Sequence, residues 1–299
     1  GRHRECAAAT RDVKITDAIN RGSIKGHYAE MYKKQDSVFV TKRAVAVNFV
    51  QNDSVYIYGK KLMVTGKEGN RIIRAFNNVR FFKTDMSGKC DSIHSSSKTA
   101  LTKMIGNPIL WNAENQITGD VMHLIGNNNT QKLDSLKVLN NTFIVSKDTI
   151  GTGYNQVKGQ NLYGKFKEGK LHDVDIIKNA EVIYYMRNEA QELIGINKNV
   201  SSKINLIIEK NEIETITFFQ QVDGDIFPEK DLPENARKLR GLVWRGDERI
   251  KSKDDIFPPE ENEDNEKIAK ATKSAEAKEN VPMKVRKETR NYDKKNKKK

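Results

Sequence analysis

Four of the five histidines and a scatter of aspartates are where chemistry would be sought first. His27, His94, His123 and His172 lie far apart along the chain, and none stands at zinc-binding distance from a Cys or a carboxylate. Each therefore reads as a surface or internally bonded histidine. Asp85, Asp91, Asp120 and Asp134 are residues that a polysaccharide lyase or hydrolase on stacked strands could align across successive rungs, since glycoside hydrolysis needs paired carboxylates. They fall beside expected corners, where Asp commonly bonds local backbone instead. The segment "GKKLMVTGKE" (59–68) has glycines like a phosphate loop. Its glycine spacing is too long, and Glu68 stands where a magnesium-binding Ser or Thr is required. "GTGYNQ" (151–156) lacks the strand-to-helix setting of a dinucleotide site. No catalytic residue, metal site or cofactor is expected.

The elements that carry these residues are strands. Aligning the chain on a recurring Asn brings "IRAFNNVRFF", "TKMIGNPILW", "LKVLNNTFIV" and "VDIIKNAEVIY" into register around Asn78, Asn107, Asn141 and Asn179. Four residues before each Asn stands a charge: Arg74, Lys103, Lys137 and Asp175. Apolar or small residues flank it, the alternation of a strand with one face in water. The alternation is expected to break at Phe76, Ile105, Leu139 and Ile177, as a bulge would cause. Asn then accepts the left-handed conformation of a corner. Gly26, Gly59, Gly88, Gly119 and Gly159 mark a second set of corners, and "KQDSVFVTKRAVAV" and "QNDSVYIYGKKLMV" suggest two earlier rungs. The expected fold is all-β: an elongated, twisted β-jellyroll of stacked antiparallel strands. An ordinary antiparallel sandwich is the simpler alternative.

Composition sets the organisation. Hydrophobic residues make up 36% and charged residues 31% of the 299, too thin a core for a compact α/β enzyme. Residues 1–20 read as a partial N-terminal segment, 21–225 as the repeats, 226–258 as an irregular or helical cap over the open end of the stack, and 259–299 as a disordered charged tail. The stretch 188–200 suggests a wider loop, and "LPENARKLRG" a short helix ending at Gly241. The formal charge is +13, and 284–299 holds nine Lys/Arg against Glu288 and Asp293, a local +7; such a run is a solvated end or a contact for an anionic surface. Cys6 and Cys90 do not demand a disulfide. No apolar run approaches the roughly 18 residues of a transmembrane helix. The chain begins at Gly1 without Met, so it reads as a mature, trimmed or partial chain.

"GNPILWNAENQITGD", "NNVRFFKTDMSGKCDSI", "NDSVYIYGKKLMV" and "FPEKDLPENARKLRGLVWRGDERIKSKDDIF" together resemble the OstA-like (organic solvent tolerance) family, relatives of the periplasmic lipopolysaccharide-transport bridge protein and of the N-terminal domain of the outer-membrane translocon. The likeness covers about residues 20 to 257. The family's "GN" corner stands at Gly106-Asn107 and becomes Asn77-Asn78, Asn140-Asn141 and Lys178-Asn179 elsewhere.

The resemblance implies a non-enzymatic protein of the periplasm, associated with the outer membrane. It would bind lipopolysaccharide through the lipid A acyl chains, join end to end with other lipopolysaccharide-transport β-jellyrolls or with copies of itself, and bind no nucleic acid. Inward parity then assigns a lipid-binding groove to Ile73, Ala75, Val79, Phe81, Met104, Leu110, Val138, Ile144, Ile176 and Val182, with Arg74, Arg80 and Lys103 at its mouth as phosphate contacts. Trp111 fits the outside, at an end-to-end contact. The alternative function is a β-solenoid scaffold or adhesion module with a filled core, binding protein or glycan.

Overall fold

The computed structural model describes residues 6–17, 22–50, 53–67, 69–130, 132–148, 150–209 and 212–262. The tail expected to be disordered from 259 onward lies outside the described residues after Asn262. The strands, in chain order, are β1 (Cys6–Asp17), β2 (Gly22–Tyr32), β3 (Ser37–Thr41), β4 (Val45–Val50), β5 (Asp53–Tyr58) and β6 (Lys61–Thr65). Next come β7 (Ile72–Lys83), β8 (Met86–Ser96), β9 (Leu101–Ile105), β10 (Ile109–Asn112), β11 (Asn115–Thr118) and β12 (Val121–Gly126). The last six are β13 (Leu133–Lys147), β14 (Tyr154–Lys167), β15 (Lys170–Arg187), β16 (Leu193–Glu209), β17 (Glu212–Phe219) and β18 (Asp223–Phe227). They form one sheet in which every pairing is antiparallel, and β3/β4, β5/β6, β9/β10, β11/β12 and β17/β18 follow one another along a rung instead of pairing. The fold is all-β, a β-jellyroll of stacked antiparallel strands. β1 is already part of the ladder, bonded to β2 along its length. Residues 193–200, expected in a loop, are strand, because β16 pairs with β15 from Leu193 onward.

Among the described residues the sheet is folded on itself by seven pairs of consecutive residues with positive φ: Arg11–Asp12, Lys42–Arg43, Asn77–Asn78, Gly106–Asn107, Asn140–Asn141, Lys178–Asn179 and Gln220–Gln221. An L-residue in this region costs roughly 1–2 kcal/mol, so something must hold it there. At several corners the first carbonyl of the pair accepts an N–H from the neighbouring strand: His27 N to Lys42 O at 2.8 Å, Asp91 N to Gly106 O at 3.0 Å, Asp120 N to Asn140 O at 3.2 Å and Ser202 N to Gln220 O at 3.1 Å. The bend is a bulge. From Phe76 to Val79 the outgoing strand advances three residues while its partner goes only from Ser92 to Cys90. Phe76, Ile105, Leu139 and Ile177, expected to interrupt the alternation, continue it and face outward; the extra residue comes after them. Gly26, Gly59, Gly119 and Gly159 stand where the returning strands cross between the two halves of the sheet, as at the β5–β6 and β11–β12 junctions, and so mark corners on the same line as the bends. Each lies opposite the bend of the next strand, where a Cβ would meet that strand's side chains or backbone, as Gly119 would meet Val138 Cγ1 at 2.2 Å. Gly88 instead faces the Phe81 ring within the strands.

Because every rung bends on the same line, the halves form two walls. The leading wall holds the segments before each corner (β3, β9, β17 and the first parts of β7, β13 and β15), together with β6 and β12. The trailing wall holds the segments after each corner (β4, β10, β18 and the second parts of the same strands), together with β5 and β11. One hydrophobic cluster lies between them, with Ala75, Val79, Leu110, Val138, Ile176 and Leu206 among its fully buried members.

The C-terminal segment 228–257 does not close the end of the stack. It lies as a strap along the outer face of the trailing wall, returning from the last rungs toward the first. Leu232 and Leu239 pack with Ile183 and Ile196, and Ile256 packs with Val45 and Tyr58. "LPENARKLRG" contributes only a 3-10 turn at Glu234–Arg237. Two buried amides hold the strap by acting as surrogate peptide groups. Gln156 donates to Arg237 O (2.9 Å) and accepts from Leu239 N (2.8 Å), and Gln116 donates to Val243 O (2.8 Å) and accepts from Arg245 N (2.7 Å). Trp111 stands directly opposite Gln116 and is 1% exposed. It faces outward but is covered by the strap rather than free for an end-to-end contact. Glu248 bonds Arg245 (2.7 Å) and Lys89 (3.1 Å). The Arg245 guanidinium, against some opposition from burial and with help from Lys89, pulls its carboxyl down to about 2.

The corners and the strap can each be tested. Asn141→Val, which forces a β-branched residue into the left-handed region, should lower unfolding stability by about 1–2 kcal/mol in urea titration, whereas Asn141→Gly should stay near wild type. Glu248 has a depressed folded-state pKa, so its contribution is complete above the ordinary glutamate value and fades as pH falls toward 2. Fluorescence of the two tryptophans, one in the strap and one beneath it, should therefore report loosening across that window, and Glu248→Gln should abolish the transition.

Candidate functional site: an apolar trough between the walls

The two walls do not meet everywhere. Between their free edges, along the rungs from β1 to the start of β13, lies a cavity of about 1100 Å³. Its leading-wall side is formed by residues such as Val38, Ile73, Ile93 and Met104, and its trailing-wall side by Ile15, Val55, Ile57 and Phe81. The inward parity of strands produces this lining, which is mostly apolar; Ser95 and Thr102, bonded to each other (2.8 Å), share a row with Ile73, and charged groups occupy the rim. There Arg71 pairs with Asp17 (3.1 Å), and Lys83 lies between Asp85 (2.7 Å) and Asp53 (3.5 Å). Burial pushes the Asp53 carboxyl up, but hydrogen bonds from Ser54 and Thr84 and the Lys83 ammonium outweigh it and leave it below the usual carboxylate range. Arg71 and Lys83 are thus already matched by carboxylates.

The trough ends at a polar tie. Asn112, 1% exposed at the end of β10, donates to Asp85 O (3.2 Å) and Gly169 O (3.3 Å) and accepts from Leu171 N (3.1 Å). It pulls the β14–β15 turn of the leading wall onto the trailing wall. That turn has positive φ at both Glu168 and Gly169, the form that matches strand twist in a two-residue hairpin. Farther along, Tyr184 on β15 donates to Ile213 O on β17 (3.1 Å), a second bond from wall to wall. Over these later rungs the interior is filled.

The expected groove residues divide accordingly. Ile73, Phe81 and Met104 line the trough. Ala75, Val79, Leu110, Val138, Ile144, Ile176 and Val182 do not line it and belong to the packed interior. Ala75 and Val79 flank a corner, where the walls converge, and Ile176 and Val182 lie beyond the Asn112 tie. Arg74, Lys103 and Arg80 are not at the mouth. Arg74 and Lys103 alternate with the inward Ala75 and Met104, so they face out of the leading wall. Arg80 faces out of the trailing wall and donates to Phe257 O (3.4 Å). Two of the aspartates considered for catalysis serve elsewhere: Asp120 accepts from Asn141 Nδ2 (3.0 Å) at a corner, and Asp85 is a rim partner of Lys83. Among the described residues no group of three or more His, Cys, Asp or Glu could hold a metal. Cys6 is exposed and Cys90 buried, and neither forms a disulfide; burial pushes the Cys90 thiol up to about 12.

No family model matches the chain, and no curated protein does. Among solved structures it is similar to LptH, the LptA-homologous periplasmic component of the lipopolysaccharide transport device from Pseudomonas aeruginosa. Identity is 14% and the TM-score 0.37, over 48% of this chain and 99% of that one. A likeness that distant decides nothing about activity, which has to be read from the trough.

Residue reasoning missed Asn112 and the lining from the first rungs, Ile15, Val38, Val55 and Ile57. A signal existed for the latter in the shared "DSV" of Asp36 and Asp53, whose strands alternate like the others. Asn112→Leu should strand buried backbone groups at the tie, costing about 1–3 kcal/mol. Hydrogen exchange should accelerate at the Leu171 amide more than at amides in β14.

Proposed function

We propose that this protein is a non-enzymatic, periplasmic lipopolysaccharide-binding protein that relays lipopolysaccharide toward the outer membrane. The observation that carries the reading is the trough, a mostly apolar channel of about 1100 Å³ open along one side, in a protein whose other surfaces are heavily charged. Acyl chains placed against Ile73, Phe81 and Met104 would leave water at about 0.8 kcal/mol per CH₂, while the polar remainder of the lipid stays outside the rim. An open side lets a lipid enter or leave sideways, which suits a relay better than a sealed pocket.

The ends of the ladder support assembly with similar β-jellyrolls, or with further copies, end to end. Among the described residues β1 bonds only β2, and β17 and β18 bond only β16, so unpaired backbone is presented at both ends. The sequence resemblance to the OstA-like family points the same way.

Photo-crosslinkers at Phe81 and Met104 should capture purified lipopolysaccharide, while one at Glu181, which faces out of the trailing wall and pairs with Lys158 (2.9 Å), should not. Capture from Glu181 alone would sink the proposal and favour a scaffold with a filled core. Met104→Glu, which aims a carboxylate at the acyl chains, should weaken binding at least about tenfold.

A further inference from the structure

The outer face of the leading wall carries a feature that the trough does not use. Strand register places Arg74, His94, Lys103, His123 and Lys137 directly opposite one another on β7, β8, β9, β12 and β13. Neighbouring strands are about 4.8 Å apart, so the row spans about 19 Å. All five side chains alternate with buried inward residues, namely Ala75, Ile93, Met104, Met122 and Val138. All five are half-buried or exposed. No salt bridge engages any of them among the described residues; Arg74 donates only to Thr65 Oγ1 (3.1 Å). Like charges directly opposite in a sheet oppose folding, so a row of basic groups without carboxylates calls for a use. The row stops where Tyr163 and then Asp175 take the next positions.

One step toward the corners, the same outer face carries apolar side chains. Phe76, Ile105, Val121 and Leu139 occupy the matching positions on β7, β9, β12 and β13, with Ser92 of β8 between Phe76 and Ile105. Ile105 is 43% exposed and the other three are half-buried. A straight basic row beside a parallel apolar band is the arrangement of a surface that sits at a lipid–water boundary. On the trailing wall the strap covers the corresponding face.

We propose that the outer face of the leading wall docks on an anionic phospholipid surface, the basic row meeting headgroup phosphates and the apolar band entering the interfacial layer. The charge complementarity is adjustable. His94 is faced by Arg74 and Lys103, and His123 by Lys103 and Lys137; on their own strands the positions two away are Ser92, Ser96, Val121 and Ile125, none titratable. Burial, then these cations, hold both rings below the ordinary histidine value. The row therefore carries three charges at neutral pH and gains up to two on acidification, so docking strengthens as pH falls. This surface works independently of what fills the trough.

The test is sedimentation of the full chain with vesicles of phosphatidylcholine, with and without phosphatidylglycerol. The basic residues of the C-terminal tail also favour anionic vesicles, but Lys and Arg do not titrate between pH 7.5 and 5, so a pH response excludes the tail's cations and the histidine variants assign it to the row. Wild type should bind the anionic vesicles about tenfold more tightly at pH 5 than at pH 7.5. His94→Gln/His123→Gln should lose that increase, while His27→Gln should keep it. As a second arm, Arg74→Gln/Lys103→Gln/Lys137→Gln should bind at least tenfold more weakly at pH 7.5, each basic residue at a membrane being worth about a fivefold change. The proposal is overturned by a pH response that survives the double His substitution, by unchanged binding of the triple variant, or by a row that retains a soluble polyanion such as heparin but not vesicles.

Discussion

Paired left-handed residues on one line are what the rest of the structure depends on. Each pair lets a strand turn sharply without leaving the sheet, because the carbonyl exposed by the bend accepts an N–H from the preceding rung. Repeated on successive rungs, the bend converts one long sheet into two walls that share a closed edge. A single corner would relax, since its backbone cost is not returned locally. Stacked corners hold one another, and the glycines opposite four of them leave the room the bend requires.

From that geometry come an inside and two outsides. The inside is apolar by strand alternation along its whole length, yet it behaves in two ways. Near the corners and over the later rungs, side chains from the two walls touch and make an ordinary packed interior. Over the earlier rungs the free edges stand apart and the same kind of lining faces a channel. The two regions are separated by a small set of bonds from wall to wall: Asn112 to Leu171 and Gly169, then Tyr184 to Ile213. Buried polar ties of this kind cost little while fully paired and much when one partner is lost, so they make a sharp boundary for the channel.

The two outer faces differ as sharply. The trailing wall is covered by residues 228–257, joined to it by apolar packing and by two glutamines whose amides take the place of a neighbouring strand. Those bonds link residues about 80 and 130 positions apart, so the strap ties the first rungs to the last. The leading wall keeps its outward residues at the surface, and there lie the row of cations and the apolar band. An asymmetric sheet has one reinforced wall and one available for contact.

The sequence alone revealed the strands, the alternation and four of the seven corners, because Asn tolerates the left-handed region better than most residues and recurs where it is needed. The corners at Arg11–Asp12, Lys42–Arg43 and Gln220–Gln221 carried no such mark; there the neighbouring strands impose the conformation. Parity told which residues of "IIRAFNN" face inward, but not whether Ile73 meets solvent-filled space and Ala75 a packed wall, since that depends on how far the second wall stands away. The change in composition after residue 225 was visible, whereas its destination was not: Gln116 and Gln156 become anchors only once strands far apart in sequence lie side by side. The basic row has the same origin. Arg74, Lys103 and Lys137 shared one offset from Asn in the sequence, and only the pairing of strands joined them to His94 and His123, because register is set by hydrogen bonds between segments and not within them.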